Sequence, residues 1–76
     1  AQYATRDYKE AIANFKALVD SRPNHDKAPE ALLSIANCEV ELGDNAAARK
    51  TLETLVDKYP SSEAAQTGSD RLKSLS

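Results

Sequence analysis

The sequence predicts an all-α stack of helical hairpins, an α-solenoid of four helices, and three observations predict it. Ala11, Phe15, Leu18 and Pro23 return as Ala48, Leu52, Leu55 and Pro60, each 37 positions further on, and Asp7, Val19 and Asp20 return as Asp44, Val56 and Asp57. Apolar residues recur at three- and four-residue steps, the helical period, with no strand-like alternation. Pro23, Pro29, Gly43 and Pro60 punctuate those runs where helices should begin or stop. A fixed period of this size implies similar units stacked on their neighbours, because one unit cannot bury its apolar face alone.

The first helix is expected over about residues 7–21, with Asp7 as N-cap and Tyr8, Ala11, Ile12, Phe15, Leu18 and Val19 as its buried stripe. Pro23 cannot continue it and restricts Arg22 before it. After a polar loop, Pro29 opens a second helix, since its missing N–H is not needed in a first turn. Gly43 ends that helix by adopting the left-handed conformation common at helix C-termini. Asp44 caps a third helix that runs to about Tyr59, striped by Ala48, Leu52, Leu55, Val56 and Tyr59, and Pro60 closes it. Ser61 or Ser62 caps the fourth, which runs to about Leu75 with Glu63 suited to its N-terminal dipole. Gly68 should weaken it by about 1 kcal/mol relative to alanine. Its thin apolar content, Ala64, Ala65, Leu72 and Leu75, fits the cap of a stack.

With 76 residues there is room for one small domain, and 41% apolar with 29% charged residues makes it a globular rather than a disordered chain. The net charge of −2 is small, and Lys and Arg are scattered without a basic stripe, which argues against nucleic-acid binding. No apolar run approaches the ~20 residues of a membrane span. Neither an initiating Met nor a signal peptide is present, as would be true of a mature or excised fragment. The single cysteine, Cys38, excludes an internal disulfide.

Chemistry finds little footing. His25, the sole histidine, lies in a loop with no second His or Cys near it, so no metal site is expected. Cys38 is in register with Ala31, Ile35 and Leu42 and reads as a small buried residue. It would need a base to act as a nucleophile, and His25 is the one candidate. No triad signature and no glycine-rich phosphate loop occur. The expectation is a non-enzyme that needs no cofactor.

These features resemble the tetratricopeptide repeat, in which an A helix and a B helix pair within about 34 residues. Residues 29–60 fit one full repeat: Leu32, Ile35 and Ala36 at A-helix packing positions, Gly43-Asp44 at the turn, Ala48, Leu52 and Leu55 at B-helix positions, Pro60 at the end. Residues 1–28 fit a partial repeat that is mainly a B helix, with 1–6 as the tail of an A helix, and 61–76 fit a capping helix. Glu39 departs from the pattern, standing where the family usually has an aromatic residue, so looser packing is expected there. The segments Asp7-Tyr8-Lys9-Glu10-Ala11-Ile12, Arg22-Pro23-Asn24-His25, Lys27-Ala28-Pro29-Glu30-Ala31-Leu32-Leu33 and Tyr59-Pro60-Ser61-Ser62 further resemble the C-terminal domain of the periplasmic cell division coordinators of the Tol–Pal system.

The resemblance implies a non-catalytic, periplasmic protein–protein interaction module. It would link TolA to a bifunctional peptidoglycan synthase and coordinate wall synthesis with outer-membrane constriction. The alternatives are a repeat scaffold of another assembly, such as an outer-membrane assembly lipoprotein or a cytosolic co-chaperone, or a purely structural oligomerisation element. Glu30, Leu33, Asn37 and Glu41 share one face of the second helix by their three- and four-residue spacing. In the repeat family that face lines a concave groove. Asp70, Arg71 and Ser74 hold the equivalent face of the last helix. The other reading of each is an ordinary solvated face. With Arg71 the sole cation among Glu30, Glu41 and Asp70, capture of a C-terminal carboxylate is not expected, and an electropositive or mixed partner segment fits better. Without an A helix before it, the first helix would leave Tyr8, Ile12, Phe15 and Val19 partly uncovered, which points to a possible homo-oligomer or to cover from residues outside this sequence.

Overall fold

A computed structural model describes residues 2–75, with side chains described for residues 6–75. Four helices follow one another: α1 (Gln2–Ser21), α2 (Ala28–Glu41), α3 (Asn45–Lys58) and α4 (Glu63–Leu75). Among the described residues α1 packs on α2, α2 on α3 and α4, and α3 on α4. The chain spans 36 × 30 × 15 Å. Its thin dimension barely exceeds one helix with its side chains, about 10–12 Å across, so every helix keeps an outward face.

The α2–α3 turn is built as the sequence predicts. Gly43 has φ +82°, the one residue with positive φ among those described. The Gly43 N–H donates to the Val40 carbonyl and the Asp44 N–H to the Glu39 carbonyl, both at 2.9 Å. This is the paired arrangement that satisfies the last carbonyls of a helix. Asp44 then caps α3, its Oδ1 accepting from the Ala47 N–H at 3.2 Å.

The same turn is missing one repeat earlier, and this corrects the expected start of α1. Asp7, expected as an N-cap, lies inside a 20-residue helix, and residues 2–6 continue that helix rather than ending a separate one. The reason stands at the position equivalent to Gly43, which is Arg6. A β-carbon makes the left-handed conformation costly, so without glycine the helix runs straight through.

Elsewhere the punctuation holds. Pro29 sits in the first turn of α2. Ser62, of the two candidate serines, caps α4: its Oγ accepts from the Ala65 N–H at 3.0 Å and donates to the Tyr59 carbonyl at 2.8 Å. The Tyr59 hydroxyl donates to the Pro23 carbonyl, tying the end of α3 to the loop after α1.

The core is a seam of small and branched residues: Ala28, Ala31, Ile35 and Ala36 from α2, Ala48, Leu52 and Leu55 from α3, Ala64 and Ala65 from α4, and Val19 from α1. Gly68 has a packing role in it. A Cβ there would lie 2.9 Å from Leu55 Cδ2 and 3.3 Å from Leu52 Cδ2, so its absence is what lets α4 close on α3. Glu39 shows no loosened packing. It is buried at 7% exposure, and its Oε1 accepts from Thr51 Oγ1 at 2.7 Å. No buried side-chain polar atom among the described residues lacks a partner.

Two stability predictions follow from these contacts. Gly68→Val should destabilise the chain by about 2 kcal/mol, since overfilling a packed site outweighs the modest gain in helix propensity. A lower urea midpoint at unchanged slope would show it. Thr51→Val should cost about 1–3 kcal/mol by leaving the Glu39 carboxylate buried without a donor, and adding Glu39→Leu should recover most of that loss. An additive double mutant would refute the pairing.

Candidate functional site

A cleft of about 520 Å³ lies between the N-terminal ends of α2 and α4. Two equivalent segments of successive repeats build it. From the first come Asp26, Lys27, Pro29, Glu30 and Leu33, and from the second Ser62, Glu63, Ala64 and Thr67. Proline and the Ser62 cap fix where each helix begins, and so fix which side chains of its first two turns face the gap.

Leu33, half-buried, and the buried Pro29 and Ala64 give the cleft an apolar floor. Around it stand three carboxylates, of Asp26, Glu30 and Glu63, against the one ammonium of Lys27. Lys27 Nζ lies 3.1 Å from Glu30 Oε2, with both side chains more than 60% exposed, a pair worth little in stability. Glu30 and Glu63 each occupy the first turn of their helix, where the dipole favours negative charge. The rim therefore stays anionic.

Of the residues expected at a groove, Glu30 and Leu33 line this cleft. Asn37, half-buried, and Glu41, exposed, continue the same face of α2 beyond its lining. Asp70 and Arg71, both exposed, lie one turn past Thr67 on α4, also outside the lining. Sequence reasoning missed Asp26, Lys27, Ser62, Glu63, Ala64 and Thr67. The 37-residue register was a usable signal for several of them, because Asp26 and Glu30 are the repeat equivalents of Glu63 and Thr67.

Two side chains with catalytic potential, His25 and Cys38, stand apart from the cleft. The exposed His25 accepts at Nδ1 from the Lys27 N–H at 3.0 Å, a bond that closes its own loop. Cys38 is half-buried, less covered than expected of a small core residue. Burial raises its thiol pKa, and the negative charges of Glu39 and Glu41 add to the effect. A raised pKa means less thiolate at neutral pH, the reverse of what a nucleophile requires. No group of three His, Cys, Asp or Glu side chains among the described residues could hold a metal ion, and no helix there is long and apolar enough to cross a membrane.

A family model described as Tetratricopeptide repeat matches residues 2–72. No curated protein matches the chain.

At pH 8 the folded chain should react with a disulfide reagent at Cys38 several-fold more slowly than the urea-unfolded chain, because its thiolate fraction is lower. Equal rates, corrected for the effect of urea on a small thiol, would contradict the raised pKa.

Proposed function

The chain belongs to the tetratricopeptide-repeat family, whose repeats generally mediate protein–protein interaction, and on that premise we propose that the α2–α4 cleft binds an extended segment of another protein that presents an apolar side chain beside a lysine or arginine. One observation carries this reading: an apolar floor at Leu33 and Ala64 inside a rim of three carboxylates and one ammonium. A cationic side chain gains from that rim, and the apolar neighbour gains from displacing water at Leu33. A partner's free carboxylate meets repulsion instead. The site is a binding surface with no catalytic role.

For the cellular setting, we propose that the chain acts like the C-terminal domain of the cell division coordinator CpoB, also called YbgF. Support comes from the Pro23-Asn24-His25-x-Lys27-Ala28-Pro29 loop, which is more specific than the generic repeat positions. On this reading the protein works in the periplasm, with TolA and a bifunctional peptidoglycan synthase as partners. Self-association is a separate reading, favoured by the half-buried apolar face of α1.

Binding of a periplasmic TolA fragment, followed by fluorescence anisotropy, tests both levels. Leu33→Asp and Glu63→Lys should each weaken it at least about tenfold, and raising salt should weaken the parent. Parent-like affinity in both variants would move the site out of the cleft. Failure of the parent to bind TolA, with cleft-dependent binding of unrelated basic–apolar peptides retained, would sink the Tol–Pal assignment alone.

A further inference from the structure

A second groove opens between α1 and α3, which among the described residues both pack on α2 and not on each other. It holds about 210 Å³ and is lined by Lys16 of α1, Leu32 and Ile35 of α2, and Lys50, Thr51 and Thr54 of α3. None of these residues lines the α2–α4 cleft, and both walls and the floor come from described helices.

The charge of this groove is the reverse of the cleft's. Lys16 and Lys50 are both exposed, and neither forms an ion pair among the described residues. No carboxylate is part of the lining. Glu39 touches it through Thr51, but that carboxylate is buried and hydrogen-bonded. Asp20 and Asp57 lie one turn beyond Lys16 and Thr54, outside the lining, so the cationic stretch is short. Lys16 precedes Asp20, the less favourable order for a pair at four-residue spacing. The lysine pair is also not a general feature of the repeat. Lys50, Thr51 and Thr54 correspond to Ala13, Asn14 and Ala17 on α1, and Lys16 corresponds to Glu53 on α3.

The lining limits what can enter. The Thr51 hydroxyl is engaged with Glu39 Oε1, and the Thr54 hydroxyl donates to the Lys50 carbonyl at 3.0 Å. The donors left for an incoming group are the two ammonium groups. Leu32 and Ile35, both buried, form an apolar floor. The volume falls below the ~300 Å³ at which small-molecule sites begin, and suits a single side chain. Anionic membranes and nucleic acids are bound by larger cation clusters, about four to eight residues for a lipid surface. Two lysines on a chain of net charge −2 do not supply one.

We propose that this groove anchors one glutamate side chain from a segment of another protein. Its methylenes lie on Leu32 and Ile35, and its carboxylate sits between the ammonium groups of Lys16 and Lys50. The chain then carries two binding surfaces of opposite sign, the cleft for a cationic segment and the groove for an acidic residue beside apolar ones.

A capped nonapeptide with one glutamate between two leucines, and only Gly, Ser and Ala elsewhere, tests this by titration into the isotope-labelled chain. Amide shifts should centre on Lys16, Lys50, Thr51 and Thr54, with Kd on the order of 0.1–1 mM. Glutamine in place of the peptide's glutamate should raise Kd at least about tenfold, and Lys16→Gln or Lys50→Gln at least about threefold. Lys58→Gln, exposed on α3 outside the lining, should leave it unchanged. Equal affinity for the two peptides, shifts centred elsewhere, or parent-like binding by both lysine variants would overturn the proposal. So would acetate or inorganic phosphate binding as tightly as the peptide, which marks a bare anion site. Tighter, lysine-dependent binding to phosphatidylcholine–phosphatidylglycerol vesicles would give the groove to a membrane instead. Shifts at the same amides that grow with chain concentration alone would give it to a second copy.

Discussion

Everything in this fold is arranged around α2, which among the described residues is the one helix that packs against each of the other three. Seven of its 14 residues are buried, Ala28, Pro29, Ala31, Leu32, Ile35, Ala36 and Glu39. Three of them are alanines, and the constraint follows from that. Three helices can approach a fourth closely if the surface between them is small, and they are held apart if it is not. Larger residues at Ala31 or Ala36 would have to be accommodated by moving a whole helix, because a close-packed interior has no spare volume. Gly68 extends the same principle to α4, whose backbone comes within van der Waals reach of Leu52 and Leu55.

Small residues bring helices together but contribute little apolar area, and this sets what else the interface requires. Ile35, Leu52 and Leu55 are the large side chains fully enclosed among the described residues. Fully burying a side chain of this size is worth about 1.5–3 kcal/mol, so each is a sizeable part of the stability of a small domain. Against that background a buried Glu39 is costly unless satisfied, and Thr51 on the facing helix satisfies it. The Thr51 hydroxyl also faces the Ala47 carbonyl at 3.1 Å, so its one proton is shared between two acceptors, the shorter bond going to the carboxylate. The hydrogen bond substitutes direction for area: it fixes the register of α2 against α3, where an aromatic residue would have done so by bulk.

Much of this was legible in the residues because the decisive signals are local. Gly43 followed by Asp44 specifies a left-handed stop and a side-chain cap, and both form without help from distant parts of the chain. Pro29 and Ser62 are equally local. The error at α1 arose from trusting Asp7 as a cap without its glycine. The repeat had kept the capping residue and lost the turn-former, and of the two the turn-former decides, since a cap strengthens a helix start that the backbone has already made. Gly68 misled in the opposite sense. Helix propensity prices it as a loss, while its value lies in contact with Leu52 and Leu55, which no local reading contains. The cleft was half visible for the same reason. Glu30 and Leu33 share a helix face by spacing alone, but their pairing with Glu63, Ala64 and Thr67 depends on how two successive repeats align in space.

The cleft depends on the same α2 scaffold. Among the described residues none of α1 lines it, and α1 makes no packing contact with α4. Its geometry is set instead by how α4 lies against α2 and α3. Gly68 governs that approach, because a β-carbon there would meet Leu55 and Leu52. A residue outside the cleft lining therefore decides the distance between Leu33 on α2 and Ala64 on α4, and with it the shape of the apolar floor. Because a close-packed interior transmits a change in volume rather than absorbing it, overfilling position 68 moves the two walls of the cleft as well as lowering stability.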